Sequence, residues 1–271
     1  MELVDTHCHI QSAGLTTGER STREIWAKDK HLTRQVLVKN AVEAGVTRLI
    51  CVGCDLADSQ LAVEFVQSQS NCWASIGLHP HEAQHYSADP AKLEQFKALV
   101  TKPKVVAVGE CGLDYYYDHS PKTAQIPVLR AQIELALEYQ LPLIFHVREA
   151  FDDFWPIFDS YQGIRGVLHS FTDNRENLNK ALERGLYIGV NGIATFAKDP
   201  AQHVIYRTIP LQKLLLETDA PFLTPTPYRG TINESKRVGT IAEFMASLRD
   251  ESLEHLAAVT THNAQTLFGL K

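Results

Sequence analysis

Short apolar runs alternate along this chain with longer amphipathic stretches. Eight runs read as strands: 3–6, 47–52, 72–77, 105–109, 143–146, 166–169, 187–190 and 214–217. Between them, helical patterning marks 35–44, 59–69, 90–100, 122–139, 174–184 and 238–248. Regular strand–helix alternation implies parallel strands joined by crossovers. Eight such units in 271 residues fit a TIM-like (β/α)8 barrel, an α/β fold that takes about 250 residues as one domain. The expected domain therefore spans 1–271. No GxGxxG element follows any strand, which disfavours a dinucleotide fold. There is no linker of Ser, Gly and Pro, no repeat and no low-complexity tract. One connection is irregular, 11–33, and it sets Arg20, Arg23, Lys28 and Lys30 against Glu19, Glu24 and Asp29. It reads either as a solvated helix-turn excursion or as a lid or nucleic-acid contact beside an active site. The tail 252–268 has the pattern of a closing helix or two.

Composition narrows the class. With 44% hydrophobic and 21% charged residues, the chain is an ordinary globular protein with ample core. A formal charge of −6 argues against a surface that grips nucleic acid all over, but leaves room for a local basic rim. The five cysteines, Cys8, Cys51, Cys54, Cys72 and Cys111, are odd in number and lie in strand-like surroundings. That favours thiols in a reducing compartment. No charged segment backed by an apolar stretch precedes the first strand, and no run reaches the roughly 20 apolar residues that span a bilayer. The expectation is a cytoplasmic protein with no membrane contact and no obligate protein partner.

The chemistry gathers where strands end. Asp5-Thr6-His7-Cys8-His9 closes the first, Glu110 follows Val105–Val108 and His146 ends the apolar run at 143–145. His169 ends the run at 166–168, and Asp219 stands just past 214–216. Imidazoles and carboxylates delivered to one end of a parallel sheet suit a pair of divalent cations and point to a hydrolase. Alone, an HxH pair describes two core histidines just as well, but further ligand types at other strand ends weigh against that. His7 and His9, two apart on a strand, point to one side. Glu110 would be desolvated after Val-Ala-Val-Gly unless a metal or an arginine met it. His146 and His169 fit a metal site or a hydrogen-bonded structural role. Arg148 suits a substrate phosphate through its planar fork, or a salt bridge to a nearby carboxylate.

Glu217 and Asp219 share a face at i, i+2, with Asp219 placed to bind metal and accept a proton and Glu217 either as a support behind the ligands or as an accessory base. His79, in Gly77-Leu78-His79-Pro80, could meet the scissile group. Cys51-Val-Gly-Cys54 has metal or redox spacing, yet without a second CxxC it reads as structural. Tyr115, Tyr116 and Tyr117 suit either base stacking or rim packing.

Taken in order, Asp5-Thr-His-Cys-His9, Gly77-Leu-His-Pro80, Gly109-Glu-Cys-Gly-Leu-Asp114, His146-Val-Arg148, His169-Ser-Phe-Thr172, Glu217-Thr-Asp219 and Arg229-Gly230 resemble the TatD-related metal-dependent deoxyribonucleases of the amidohydrolase superfamily. The resemblance runs end to end. It implies a TIM-like barrel, a metal site from His7, His9, Glu110, His146, His169 and Asp219, and exonuclease-like hydrolysis of DNA phosphodiester bonds by metal-activated water. Retention of the first HxH pair favours two ions, of zinc, manganese, magnesium or iron. His7 and His9 would hold one, His146 and His169 the other, with Glu110 between. The catalytic candidates are Asp219, Glu217 and His79, and Arg148 would bind substrate. The chain departs from the family where Asn233-Glu234-Ser235 lacks the usual proline, and the 11–33 connection is longer than usual. Both lie on the substrate side, so another ester or amide chemistry on the same metal site stays open: an aminoacyl-tRNA deacylase, an amidase or a lactonase.

Overall fold

A computed structural model describes every residue except 118 and 271. In chain order it contains β1 (Leu3–Cys8), α1 (Arg20–Trp26), α2 (Arg34–Glu43), β2 (Val46–Val52), α3 (Leu56–Gln67), β3 (Cys72–Ile76), α4 (Pro90–Lys97) and β4 (Val105–Asp114). There follow α5 (Lys122–Glu138), β5 (Leu143–Arg148), α6 (Phe151–Asp159), β6 (Gly166–Leu168), α7 (Arg175–Glu183), β7 (Tyr187–Val190), α8 (Pro200–Thr208), β8 (Leu214–Leu216), α9 (Val238–Arg249) and α10 (Leu253–Phe268). The strands form one sheet in the order β1 to β8. Sequential order with a helical crossover at each step is the topology of a (β/α)8 fold. Among the described residues no helix is long and apolar enough to cross a membrane.

Contacts divide the chain into two compact units, Met1–Cys51 with Ser170–Lys271, and Val52–His169. In the first, β1 pairs in parallel with β2, Leu3 opposite Val46 and Cys8 opposite Cys51. There β7 also pairs with β8, Ile188 opposite Leu214. The segment after β8 returns to β1 through a parallel bridge between Cys8 and Ala220, and the Thr6 hydroxyl donates to the Leu216 carbonyl. All six residues of β1 are buried, so a strand carrying Asp5 and His7 lies wholly inside. The tail folds as expected: the Ser252 side chain caps α10 by accepting the His255 N–H, and Asn263 Nδ2 donates to the carbonyls of Leu211 and Leu214.

In the second unit β3, β4, β5 and β6 pair in parallel in that order. Phe145 of β5 packs on Phe154 and Phe158 of α6, with ring centroids 5.1 and 5.9 Å apart. In that helix Phe151, Phe154, Trp155 and Phe158 recur at helical spacing.

One expectation needs correction. Strand β4 does not end near Gly109 but runs on to Asp114, paired with β5 at Val108 and again from Cys111 to Asp114 with an irregularity between, which puts Glu110 inside the strand. The 11–33 connection holds a helix, as the helix-turn reading has it: α1 is started by the Glu19 carboxylate, which accepts the N–H groups and hydroxyls of Ser21 and Thr22. Burial would raise the Glu19 carboxyl, but those donors outweigh it and hold it below the usual range. At the end of α1, the fully buried Trp26 donates its indole N–H to the His9 carbonyl at 2.9 Å. The connection is therefore anchored to the HxH motif.

Candidate metal centre

The first unit builds a cluster at the end of β1. His7 lies in the strand and His9 just past it. The Asp219 N–H donates to the His7 carbonyl at 2.8 Å, and the His9 N–H donates to the Ala220 carbonyl at 2.7 Å. These two bonds zip the end of β1 to the segment after β8. The side chains then meet: His7 Nε2 and His9 Nε2 stand 3.2 Å apart, and Asp219 Oδ1 is 3.2 Å from His9 Nε2 and 3.7 Å from His7 Nε2. Each neutral ring carries one proton, and a proton on Nε2 can point at only one neighbour. With the ring protons on Nδ1 instead, both Nε2 lone pairs and Asp219 Oδ1 converge on one point, where a divalent cation would take all three. The donor set, two imidazoles and a carboxylate, fits such an ion.

Behind the triangle, Asp5 is fully buried and accepts from the Thr218 N–H and hydroxyl at 2.8 and 2.6 Å. Burial pushes its carboxyl up to about 7 against those hydrogen bonds. Asn233 Nδ2 donates to the Thr218 and Phe222 carbonyls at 2.9 and 2.7 Å, so the turn carrying Asp219 is held on both flanks.

The second unit gathers another set around Glu110. Gly77 and Gly112 let the backbone close in there: a Cβ on Gly77 would collide with the Glu110 backbone, and one on Gly112 with the His146 carbonyl oxygen. Glu110 Oε1 lies 2.8 Å from His146 Nδ1, 3.6 Å from His79 Nε2 and 3.9 Å from His169 Nε2. His146 Nε2 in turn donates to Asp114 Oδ2 at 2.9 Å, which also receives His81 Nε2 at 3.0 Å. Burial would lower the His146 ring, but Asp114 and Glu110 on its two sides outweigh this and raise it to about 9. Burial acts to raise Asp114 as well, and the same histidines overcome it and hold the carboxyl far below its usual range. His79 is pushed down to about 4, chiefly by burial, with Glu110 opposing. Its Nδ1 accepts the His81 N–H at 3.2 Å, so the neutral ring carries its proton on Nε2, toward Glu110.

The expected residues fall into these two sets: His7, His9 and Asp219 in one, Glu110, His146, His169 and His79 in the other. Glu217 and Asp219 do not share a face. The i, i+2 rule fails because β8 stops at Leu216 and Asp219 adopts φ +58°. Instead Glu217 Oε1 accepts the Ser170 N–H at 2.6 Å, and its carboxylate fills the space beside Gly189, where a Cβ would lie 2.5 Å from Oε2. Arg148 lies at the end of β5 with its guanidinium over the rings of Tyr116 and Tyr117. Sequence reasoning misses Asp114 and His81, although Asp114 follows Glu110 by four residues and His81 follows His79 by two. All five cysteines are buried thiols, and burial raises Cys111 well above the usual thiol range.

A family model described as TatD related DNase matches residues 4–269. The chain belongs to that family. A TatD-family relative named 3'-5' ssDNA/RNA exonuclease TatD, from Citrobacter rodentium, is 38% identical over 86% of this chain and 91% of its own length. The uncharacterized metal-dependent hydrolase YabD of Bacillus subtilis is 34% identical over 98% of both chains. Among solved structures, the TatD homologue YJJV from Escherichia coli K12 superposes with a TM-score of 0.86 at 26% identity, covering 99% of this chain and 98% of that one. This TatD-family chain thus has the TIM-like α/β barrel fold expected of it, and it is an enzyme of the family's phosphodiester-hydrolysing class.

Proposed function

We propose that this protein is a divalent-metal-dependent exonuclease that removes nucleotides from the 3' end of DNA, with two ions in its working state. The observation that carries the reading is the triangle of His7 Nε2, His9 Nε2 and Asp219 Oδ1 within 3.2–3.7 Å, accompanied by a second imidazole–carboxylate set at Glu110, His146 and His169. His7, His9 and Asp219 would hold one ion, and Glu110, His146 and His169 the other. Such ions, when bound, polarise the phosphoryl group and make hydroxide available near neutral pH.

The protein's own groups divide the remaining work. Asp219, partly exposed beside two imidazoles, accepts the proton of the attacking water. His79, neutral with its proton on Nε2, donates to the oxygen that leaves; a ring whose Nδ1 lone pair is taken by a backbone N–H presents no lone pair on Nε2 for a metal. Asp114 holds the Nε2 proton of His146, so the Nδ1 proton that faces Glu110 is the one a metal would displace. Glu217 acts as a positioning residue that fixes Ser170, next to His169. Arg148 orients a substrate phosphate. The buried thiols support a cytoplasmic setting.

The test is cleavage of 5'-labelled single-stranded DNA after chelation and re-addition of manganese, magnesium or zinc, beside Glu110→Ala and Asp219→Asn. The expected result is a metal-restored ladder shortening from the 3' end, lost in both variants, with much of the metal still bound by Asp219→Asn. Intact DNA under every metal, with metal nonetheless bound, would refute the nuclease reading and direct attention to ester and amide substrates.

A further inference from the structure

The second unit carries an exposed aromatic patch that the hydrolytic chemistry does not use. Tyr116 and Tyr117 are 53% and 42% exposed, unusual for paired tyrosines outside a core. Arg148 covers one face of the first, its guanidinium carbon 4.0 Å from the Tyr116 centroid and 4.8 Å from that of Tyr117. The two phenols stand at 90° with centroids 4.8 Å apart, and His119 stacks on Tyr117 at 5.7 Å and 20°. Lys122 caps Tyr115 at 3.7 Å, although Asp153 offsets that cation.

The patch is wired to the candidate site. Asp114 uses Oδ1 to accept the N–H groups of both Tyr116 and Tyr117, each at 3.0 Å, while its Oδ2 holds His146. Arg148 sits two residues beyond His146 on β5 and pairs in register with Asp114. One buried carboxylate therefore fixes both a candidate ligand and the turn that presents the tyrosines.

We infer that Tyr116, backed by Arg148 and flanked by Tyr117, is a stacking platform for an unpaired base of a single-stranded nucleic acid, with Arg148 available to the adjoining phosphate. A base offers a π face of the right size, and a guanidinium held on the opposite face of the ring strengthens such a stack. A duplex cannot use the platform without unstacking its terminal pair, so the patch selects single strands or frayed ends. The overall charge of −6 makes a localised aromatic–cation patch the means of gripping a polyanion here rather than a general basic surface. The inference deepens the nuclease reading and rests on it for the identity of the substrate.

The experiment measures binding in EDTA, where nothing is hydrolysed. A fluorescent oligothymidylate and an abasic chain of equal length are titrated with wild type, Tyr116→Ala and Tyr116→Phe. Wild type should prefer the base-bearing chain. Tyr116→Ala should weaken that binding about 5- to 100-fold while leaving the abasic chain unaffected, and Tyr116→Phe should retain the wild-type affinity. Equal loss on both chains, no loss on either, or no wild-type preference for bases would overturn the inference. If the expected binding pattern is found but no metal restores cleavage, the nuclease reading falls and the platform stands. A metal-restored ladder together with unaltered binding in Tyr116→Ala would overturn the platform and leave the nuclease reading intact.

Discussion

Asp114→Asn tests how the Glu110 set is organised. The carboxylate accepts four hydrogen bonds: the N–H groups of Tyr116 and Tyr117 on Oδ1, and the Nε2 protons of His146 and His81 on Oδ2. An amide of the same shape has one accepting oxygen and one NH2. If the oxygen stays with the backbone, the NH2 faces the two imidazoles. The simplest rescue takes the proton off His146 Nε2, so that Nε2 can accept from the amide. That leaves the ring's remaining proton on the nitrogen 2.8 Å from Glu110 Oε1, where a lone pair would be needed for a metal. Losing such an orienting partner typically lowers metal affinity about 10- to 100-fold, or about 1.4–2.8 kcal/mol. Calorimetric titration of the chelator-stripped protein with manganese or zinc measures it. The expected isotherm shows one site weakened and the other, at His7, His9 and Asp219, unchanged, and cleavage recovers in excess metal. Two unaltered binding phases would refute the assignment of Asp114 as the group that orients His146.

Other consequences follow from the same geometry. Gly112→Ala should cost on the order of 3–5 kcal/mol, because φ is +155° there and the added methyl meets the His146 carbonyl; urea unfolding of the soluble fraction reads this out. Trp26→Phe removes the indole donor to the His9 carbonyl and should lower stability by about 2–3 kcal/mol in the same assay. Glu19→Gln should remove part of the α1 cap, about 1 kcal/mol, with a signed pH dependence. Glu19 titrates lower when folded, so its charge stabilises above the ordinary value of 4.5 and ceases to as pH falls through the folded value. The gap between wild type and Glu19→Gln should thus be constant at neutral pH and close under acid; a gap that widens under acid would contradict the cap.

Strand positions were largely legible because buried parallel strands are continuous apolar runs, and residues 187–190 matched to the residue. Strand β4 was cut short because its apolar run stops at Val108, whereas its ladder continues past Gly109 and Gly112, whose lack of a Cβ permits the close pairing with β5. In helix α6 the four aromatic residues keep the helical period and only Pro156 argues against a helix, while α8 is masked by a polar face and a short length. The imidazoles and carboxylates that the fold gathers were readable from strand ends. Their supports were not, since Asp114, Asn233 and Trp26 act through hydrogen bonds between residues that only the fold brings together. The shared face expected of Glu217 and Asp219 is lost for a related reason: alternation on a strand says nothing once the backbone turns left-handed at Asp219.

The two oxygens of Asp114 bear on how catalysis and substrate grip are joined. Oδ2 fixes the ring at His146, and Oδ1 fixes the turn that displays Tyr116 and Tyr117. On the proposed reading, one buried group thereby holds chemistry and base contact in one register. The coupling runs in one direction, because Tyr116 reaches Asp114 through its backbone N–H, while its ring meets Arg148, Tyr117 and solvent. Truncating that ring leaves the backbone donor in place, so Tyr116→Ala should weaken oligonucleotide binding with no change in the metal isotherm. Asp114→Asn disturbs both ends and should move both measurements. Were the metal isotherm to shift in Tyr116→Ala, the ring itself would be part of what orients His146, and the division of labour between the two oxygens would be wrong.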